Sequence, residues 1–168
     1  MEQSTPFTRY LGVKEVFARP MTAQAAGEIL NRPIDTTNAD AEGNGYLVIY
    51  KDGYRNWSPK AQFEEANRPT TGMTFGMAIE AMRKGHRVAR KGWNGRGIFI
   101  ELQVPDEHSK MTHPYIFIDT TGLQTDNVAA PKNRVPWLAS QTDMLSEDWG
   151  VYVDIKEATL SSGNQVAP

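Results

Sequence analysis

The stretch RVARKGWNGRG, Arg87 to Gly97, decides how the second half of this chain folds. It holds four cationic side chains, one tryptophan, one asparagine and three glycines. Glycines let the backbone turn sharply and let a ligand approach closely. A tryptophan offers a flat face for stacking, and arginines match phosphate oxygens. The stretch therefore suits an anionic, aromatic ligand such as a nucleotide. The alternative is a basic helix end followed by a glycine-rich turn, with Trp93 filling the core.

The residues around this stretch predict one amphipathic helix and a set of short strands. Apolar residues recur at helical spacing over residues 75–84, Thr74 stands at the N-cap position, and Gly85 follows the last turn. Apolar runs predict strands over residues 86–90, 98–104, 114–119 and 151–155. The predicted module is thus a small sheet covered by one helix.

The first half of the chain predicts a second small module. A strand is expected over residues 10–18, a helix over 23–30 capped by Thr22, a hairpin around Asp52-Gly53, and a short helix over 60–66. The expected buried side of the first helix consists of Ala25, Ala26, Ile29 and Leu30.

A polar segment with proline and glycine, residues 67–72, predicts the boundary between the modules. The predicted fold class is α+β, a small antiparallel sheet packed with one amphipathic helix and preceded by a second small α+β module. The expected domains are residues 1–67 and 73–156, followed by a disordered tail over 157–168.

The composition of the chain excludes several classes of function. The chain has 168 residues with 39% hydrophobic and 23% charged, enough for packed cores. A net charge of -2 argues against non-specific binding of long nucleic acid. No signal peptide and no apolar run of bilayer length is visible, so no membrane partner is expected. Cysteine is absent, and His108 and His113 fit no common ligand spacing, so neither a metal nor a cofactor is expected.

A second informative stretch runs from Arg134 to Trp149. Trp137 offers another stacking face, and Ser140 can begin a helical turn through Leu145. Asp143 is either a carboxylate that selects a ligand by accepting hydrogen bonds from its base edge or ribose hydroxyls, or the cap of a turn that starts at Met144. Trp149 adjoins a strand and is expected in the core.

Four motifs in the second half, in this order, resemble the second Thoeris anti-defence family of phages, a domain first catalogued without a function. They are MTF at residues 73–75, VARKGWNG at 88–95, PYI at 114–116, and VPWLASQTDML at 135–145 with Asp148-Trp149. The resemblance covers residues 73–155. Residues 1–72 stand in front of it, which departs from shorter members of the family.

The resemblance implies a cytoplasmic sponge in the infected bacterial host. Members of this family bind cyclic ADP-ribose isomers (glycocyclic ADP-ribose) that TIR-domain enzymes make as Thoeris alarm signals, and they do not cleave them. Some members hold cyclic dinucleotides of CBASS immunity at separate sites. The family fold is a small α+β domain that assembles as a homotetramer with ligand pockets at subunit interfaces.

Resemblance and residue chemistry together give a set of expected ligand contacts and no catalytic residue. Trp93 and Trp137 would sandwich or edge the adenine, and Phe75 would close the apolar side. Arg90, with Lys91, would meet the pyrophosphate. The polar contacts to base edges and ribose hydroxyls would come from Asn94, Ser140 and Asp143.

Two other classes of function stay open at this point. A hydrolase of the same signal would need a poised acid, for which Asp143 or Asp148 could serve. A virion or interaction protein would bind no small molecule, and its aromatic residues would all lie in the core.

The first module resembles a small domain found in many phage proteins of unassigned function. The resemblance rests on YLGV at 10–13, GYLV at 45–48, DGY at 52–54 and WSPK at 57–60. It implies no activity.

Overall fold

Two antiparallel sheets organise the protein, one in each half of the chain. The computed structural model describes residue 9 and residues 11–153. The chain divides into two compact units, Met1–Arg68 and Pro69–Pro168. The α+β class predicted from the sequence is confirmed, because each described unit combines an antiparallel sheet with short helices. The predicted tail over residues 157–168 lies outside the described residues.

The sheet of the first unit has three strands in the order β1-β2-β3. They are β1 (Phe17–Pro20), β2 (Gly45–Ile49) and β3 (Arg55–Pro59). The strand expected over residues 10–18 was wrong in its start, since only Phe17 to Pro20 pairs with β2. Alternation of apolar and polar residues indicates which way side chains would point in a strand. It does not show whether a neighbouring strand is there to pair with. Residue 10 itself lies outside the described residues.

The hairpin and both helices of the first unit follow the prediction. Gly53 has a φ of 83° in the β2–β3 turn, whereas Asp52 keeps a negative φ. The helices are α1 (Ala23–Leu30), whose N-cap Thr22 accepts from the Ala25 N–H at 3.3 Å, and α2 (Lys60–Ala66).

The buried side of α1 differs from the expected one. Ala23 and Ala26 pack against Trp57, whose indole N–H donates to the Met21 carbonyl at 2.8 Å. Ile29 is 44% exposed. Helical spacing predicts which residues form the apolar side of the helix. The position of Trp57 determines which of those residues are buried.

The sheet of the second unit has five strands in the order β7-β6-β5-β4-β8. They are β4 (Val88–Arg90), β5 (Phe99–Gln103), β6 (Tyr115–Asp119), β7 (Arg134–Pro136) and β8 (Trp149–Val151). β7 was not anticipated, because three residues ending in proline carry little strand signal. The last strand begins two residues earlier than expected, and residues 154 and 155 lie outside the described residues.

One helix covers the core face of this sheet, as predicted. It is α3 (Phe75–Arg83), and Thr74 caps it by accepting from the Met77 N–H at 3.3 Å. Gly85 follows the helix with a φ of 90°. The buried core consists of Met73, Ala78, Met82, Val88, Ile100 and Trp149. A short helix, α4 (Gln141–Leu145), follows β7.

Part of the expected linker belongs to the second unit. The Thr70 carbonyl accepts from the Val151 N–H at 2.8 Å, and Met73 exchanges backbone hydrogen bonds with Trp149 at 2.7 and 3.2 Å. These bonds cover the edge of β8 that β4 leaves open, which removes an unpaired strand edge. In the described part of the chain, no helix has both the length and the apolar character to cross a bilayer.

Candidate ligand-binding site

Four aromatic rings meet at the end of the second unit's core. Trp149, fully buried, lies against Phe75 and Trp93 with ring centroids 5.3 Å away in each case, and against Trp137 at 6.1 Å. The three outer rings are only partly buried. The structure thus brings the three predicted aromatic contacts, Phe75, Trp93 and Trp137, together around Trp149. Trp149 was expected in the core and lies there.

The two predicted stacking rings do not face each other. The centroids of Trp93 and Trp137 are 6.0 Å apart and their planes cross at 63°. A base held between two rings needs nearly parallel planes about 7 Å apart, twice the van der Waals contact distance. In this conformation an adenine therefore does not fit between the two rings. It could contact only the edge or one open face of each ring.

Arg90 extends from the end of β4 into a pair of carboxylates. Its Nε donates to Asp148 at 2.8 Å and its Nη1 donates to Asp143 at 2.9 Å. The side chains of Arg90 and Asp143 are only 12% and 13% exposed. Hydrogen bonds to Asp148 and Asp143 raise the pKa of Arg90. The cation predicted to meet a pyrophosphate is therefore already balanced by two acids of its own chain.

Asp143 is the centre of the same network. One carboxylate oxygen accepts from Arg90 and from the indole N–H of Trp93 at 3.1 Å. The other accepts from Ser140 twice, from its hydroxyl at 2.6 Å and its backbone N–H at 3.1 Å. Four donors fill the acceptor positions of a carboxylate. Its side chain is thus engaged by the protein itself.

The turn that carries Asp143 is a reciprocal cap. The Ser140 hydroxyl accepts from the Asp143 N–H at 3.1 Å while the Asp143 carboxylate accepts from Ser140, which together form a capping box at the start of α4. The Asp143 carbonyl also accepts from the Trp149 indole N–H at 2.9 Å. The predicted cap at Asp143 for a turn starting at Met144 was wrong in its position: α4 begins at Gln141, Ser140 is its N-cap, and Asp143 lies in the first turn as the reciprocal partner of that cap.

The pKa values of both acids lie below the ordinary range. Burial raises the pKa of Asp143, but hydrogen bonds from Ser140, Arg90 and Trp93 outweigh that effect and lower it overall. The hydrogen bond from Arg90 lowers the pKa of Asp148. Both carboxylates are therefore ionised at neutral pH.

Trp93 and the glycine turn that follows it also line a groove of about 650 Å³. Among the described residues, its lining holds three cations and no acid. The lining consists of Ala89, Arg90, Lys91, Trp93, Gly95, Arg96, Gly97, Ile98, Gly122, Gln124, Tyr152 and Val153. Gly97 has a φ of 82°, and a Cβ there would overlap the Gly122 carbonyl oxygen. Only glycine permits this close approach of the two turns.

Asn94 stands apart from the other predicted contacts. It is exposed in the turn between Trp93 and Gly95. The structure therefore joins six of the seven predicted residues, by ring contacts or through the Asp143 network, and leaves Asn94 at the surface.

The sequence did not indicate the roles of Asp148, Arg96 and Tyr152. Asp148 lies 58 residues from Arg90, so no local spacing could predict their pairing. Arg96 was visible in the sequence as one of the cations between Arg87 and Gly97. Which of these cations Asp143 and Asp148 would neutralise depends on the fold. Tyr152 reaches the groove from the strand end after β8.

Comparison with known proteins agrees with the motifs. A family model described as Tad2-like, the Thoeris anti-defense 2-like domain, matches residues 73–152. The protein called Thoeris anti-defense 2 of Bacillus phage SP01 is 31% identical over 90 residues, which is 48% of this chain and 96% of that relative. Both matches fall in one class, the anti-defence proteins. The chain belongs to the Thoeris anti-defense 2 family, as its motifs predicted, and the matched region includes every predicted contact residue.

Proposed function

We propose that this protein binds and sequesters a cyclic ADP-ribose isomer, a glycocyclic ADP-ribose signal of TIR-based Thoeris immunity, without cleaving it. One observation carries the proposal. Trp93 stands between an aromatic cluster and a groove lined by cations, within the segment that the family model matches. An adenine with a pyrophosphate needs a stacking face and positive charge side by side.

The adenine would lie on the open faces or edges of Trp93 and Trp137, with Phe75 behind them. A stacked base contributes ~1–3 kcal/mol in single-strand binders. The exposed amide of Asn94 would bond a base edge, because an amide offers both donors and an acceptor. Ser140 and Asp143 would act mainly by holding the rings, since their polar atoms already bond each other, Arg90 and Trp93.

A sponge must release its ligand slowly, and a rigid site favours this. The Trp93 indole is fixed by its hydrogen bond to Asp143 and by edge contacts with Trp137 and Trp149. Little side-chain entropy would be lost on binding to rings that are already ordered.

The hydrolase alternative gains no support from the two acids. A general acid must carry a proton near the working pH, and its pKa is usually raised for that purpose. The pKa values of Asp143 and Asp148 are lowered instead, and Arg90 contacts both carboxylates.

The proposal includes the assembly and setting expected of such a sponge. The second unit would form a homo-oligomer, a tetramer, with ligand pockets at subunit interfaces, and cyclic dinucleotides would occupy separate sites. The protein would act in the cytoplasm of the infected bacterium.

Recovery of intact ligand tests the proposal. Excess protein is mixed with each cyclic ADP-ribose isomer, separated from free ligand, denatured by heat, and the supernatant is analysed by mass spectrometry. The expected result is depletion of free ligand followed by return of the same compound.

Two outcomes contradict the proposal. Linear ADP-ribose in the supernatant would indicate a hydrolase, and no depletion by any isomer would favour an interaction protein. Trp93→Ala should lose binding, while the matched control Tyr54→Ala, an aromatic residue 56% exposed in the first unit, should keep it.

A further inference from the structure

We propose that Lys91 and Arg96, and not Arg90, form a diphosphate subsite in the groove beside Trp93. This inference rests on the proposed function, because the diphosphate is taken to belong to the sequestered nucleotide. It keeps Lys91, which the motif already suggested as a phosphate contact, and replaces Arg90 by Arg96.

The charges around the groove distinguish the three cations. Arg90 donates to Asp143 and Asp148, so its charge is offset by two carboxylates. Among residues 9 and 11–153, no carboxylate is paired with Lys91 or Arg96. Both side chains are exposed and both line the groove. Two cations that are paired with no carboxylate in the described part of the chain thus line one groove. Their charge matches the two negative charges of a bridging diphosphate.

The backbone at the groove fixes where these charges stand. The Arg96 carbonyl accepts from the Gln124 N–H at 2.9 Å, and the Lys91 N–H donates to the Asp148 carbonyl at 3.1 Å. Each cation therefore extends from an anchored backbone position, so only its side chain must be ordered on binding.

Glycines on two facing turns form part of the groove beside Arg96. Gly95 and Gly97 line the groove beside Arg96, and Gly122 approaches from the opposite turn. A Cβ at Gly97 would overlap the Gly122 carbonyl oxygen and one at Gly95 would overlap the Leu123 side chain, so these glycines let the two turns pack together and shape the groove. Trp93 and Tyr152 are both in the groove lining, so aromatic side chains accompany the two cations, as a nucleotide diphosphate requires.

Calorimetric titration of the full chain tests the subsite. The probes are a cyclic ADP-ribose isomer, ADP, adenosine and inorganic pyrophosphate. The variants are Lys91→Met, Arg96→Gln and the charge-restoring Arg96→Lys, with Lys132→Met as the matched control because Lys132 is an exposed cation outside the groove lining. Melting temperatures verify that each variant is folded.

We expect Lys91→Met and Arg96→Gln each to weaken binding of the cyclic isomer about 10-fold, the typical effect of one charge-assisted hydrogen bond. Arg96→Lys should recover part of the loss, and Lys132→Met should bind as the wild type does. Higher salt should weaken the wild type more than Arg96→Gln, since ionic strength screens an exposed charge.

The outcomes separate this inference from the proposed function. Wild-type affinity in both groove variants would overturn the subsite while sequestration stands. If no cyclic isomer binds but ADP binds through Lys91 and Arg96, the subsite stands and sequestration fails. Binding of inorganic pyrophosphate as tight as ADP would assign the groove to free diphosphate, and absence of binding by every probe would overturn both.

Discussion

The indole N–H of Trp93 donates to the carboxylate of Asp143 at 3.1 Å, and the same carboxylate oxygen accepts from Arg90. The Trp93 indole, the start of α4 and the largely buried Arg90 guanidinium are therefore all held by the side chain of Asp143. Removing its charge should disturb all three at once.

Asp143→Asn tests this coupling. The substitution leaves Arg90 with a weaker acceptor in a site where its side chain is 12% exposed. We expect the free energy of unfolding to fall by ~2–4 kcal/mol, since half of a largely buried ion pair is neutralised. Urea unfolding gives this value, and Asp126→Asn, in an exposed loop, should leave it unchanged.

Indole NMR signals provide a second measurement on the same variant. The chain has four tryptophans, so a 15N-labelled sample gives four indole N–H signals that single substitutions can assign. Asp143→Asn should shift the Trp93 signal most. The Trp57 signal should not move, because its acceptor is the Met21 carbonyl of the first unit. An unmoved Trp93 signal would contradict the positioning role of Asp143.

The same acids predict an acid-sensitive fold. The folded-state pKa values of Asp143 and Asp148 are lowered, so their contribution to stability is complete above about pH 5 and is lost as the pH falls below the unfolded value of ~3.9 toward the folded values. Between pH 5 and 3 Asp143 should account for about 1 kcal/mol of lost stability, and Asp148 should add to the loss in the same direction.

The double variant Asp143→Asn/Asp148→Asn isolates this contribution. Its free energy of unfolding should fall less steeply than that of the wild type over this pH range. Asp119, whose pKa is also lowered and which Arg134 contacts at 2.7 Å, remains in both proteins and gives the same background. Parallel curves for the two proteins would disprove the assignment.

The sequence predicted elements with strong local signals and missed those that depend on partners. The caps at Thr22, Thr74 and Ser140 gave the starts of three helices because capping is local. The extent of β1 and the existence of β7 depend on which strand lies alongside. The aromatic members of the candidate site were visible as residue types, whereas the neutralisation of Arg90 by Asp148 required the fold.

Trp137 and Trp149 should respond differently to truncation. Trp149→Ala removes a fully buried ring and its hydrogen bond to the Asp143 carbonyl, so it should cost ~3–5 kcal/mol of unfolding free energy. Trp137→Ala removes a partly buried ring that touches three others, and it should cost less, about 1–2 kcal/mol.

Ligand affinity provides the second part of this comparison. If Trp137 stacks on adenine, its removal should weaken binding by one to two orders of magnitude, corresponding to ~1–3 kcal/mol. The opposite outcome is that Trp137→Ala melts at the same temperature as Trp149→Ala and its folded fraction binds ligand normally. Trp137 would then be a core residue without a role in binding.

The start of the second unit can be tested by two truncations that differ by four residues. A chain beginning at Pro69 retains the Thr70 carbonyl that accepts from Val151 and the turn in which the Gly72 N–H donates to Pro69. A chain beginning at Met73 lacks both and leaves the Val151 N–H of β8 without its acceptor, while the pairing of Met73 with Trp149 remains. We expect the shorter chain to be less stable by about 1–2 kcal/mol, the value of one or two backbone hydrogen bonds.

Both truncations should keep the oligomer if the second unit alone assembles. The full chain has a mass of 18.8 kDa, and light scattering at micromolar concentration should give a multiple of each protomer mass. A monomeric full chain would refute the proposed tetramer. An oligomeric full chain with a folded but monomeric Pro69 truncation would instead locate assembly in the first unit. Equal stability of the two truncations would mean that the segment from Pro69 to Gly72 does not support the sheet edge, despite its hydrogen bond to β8.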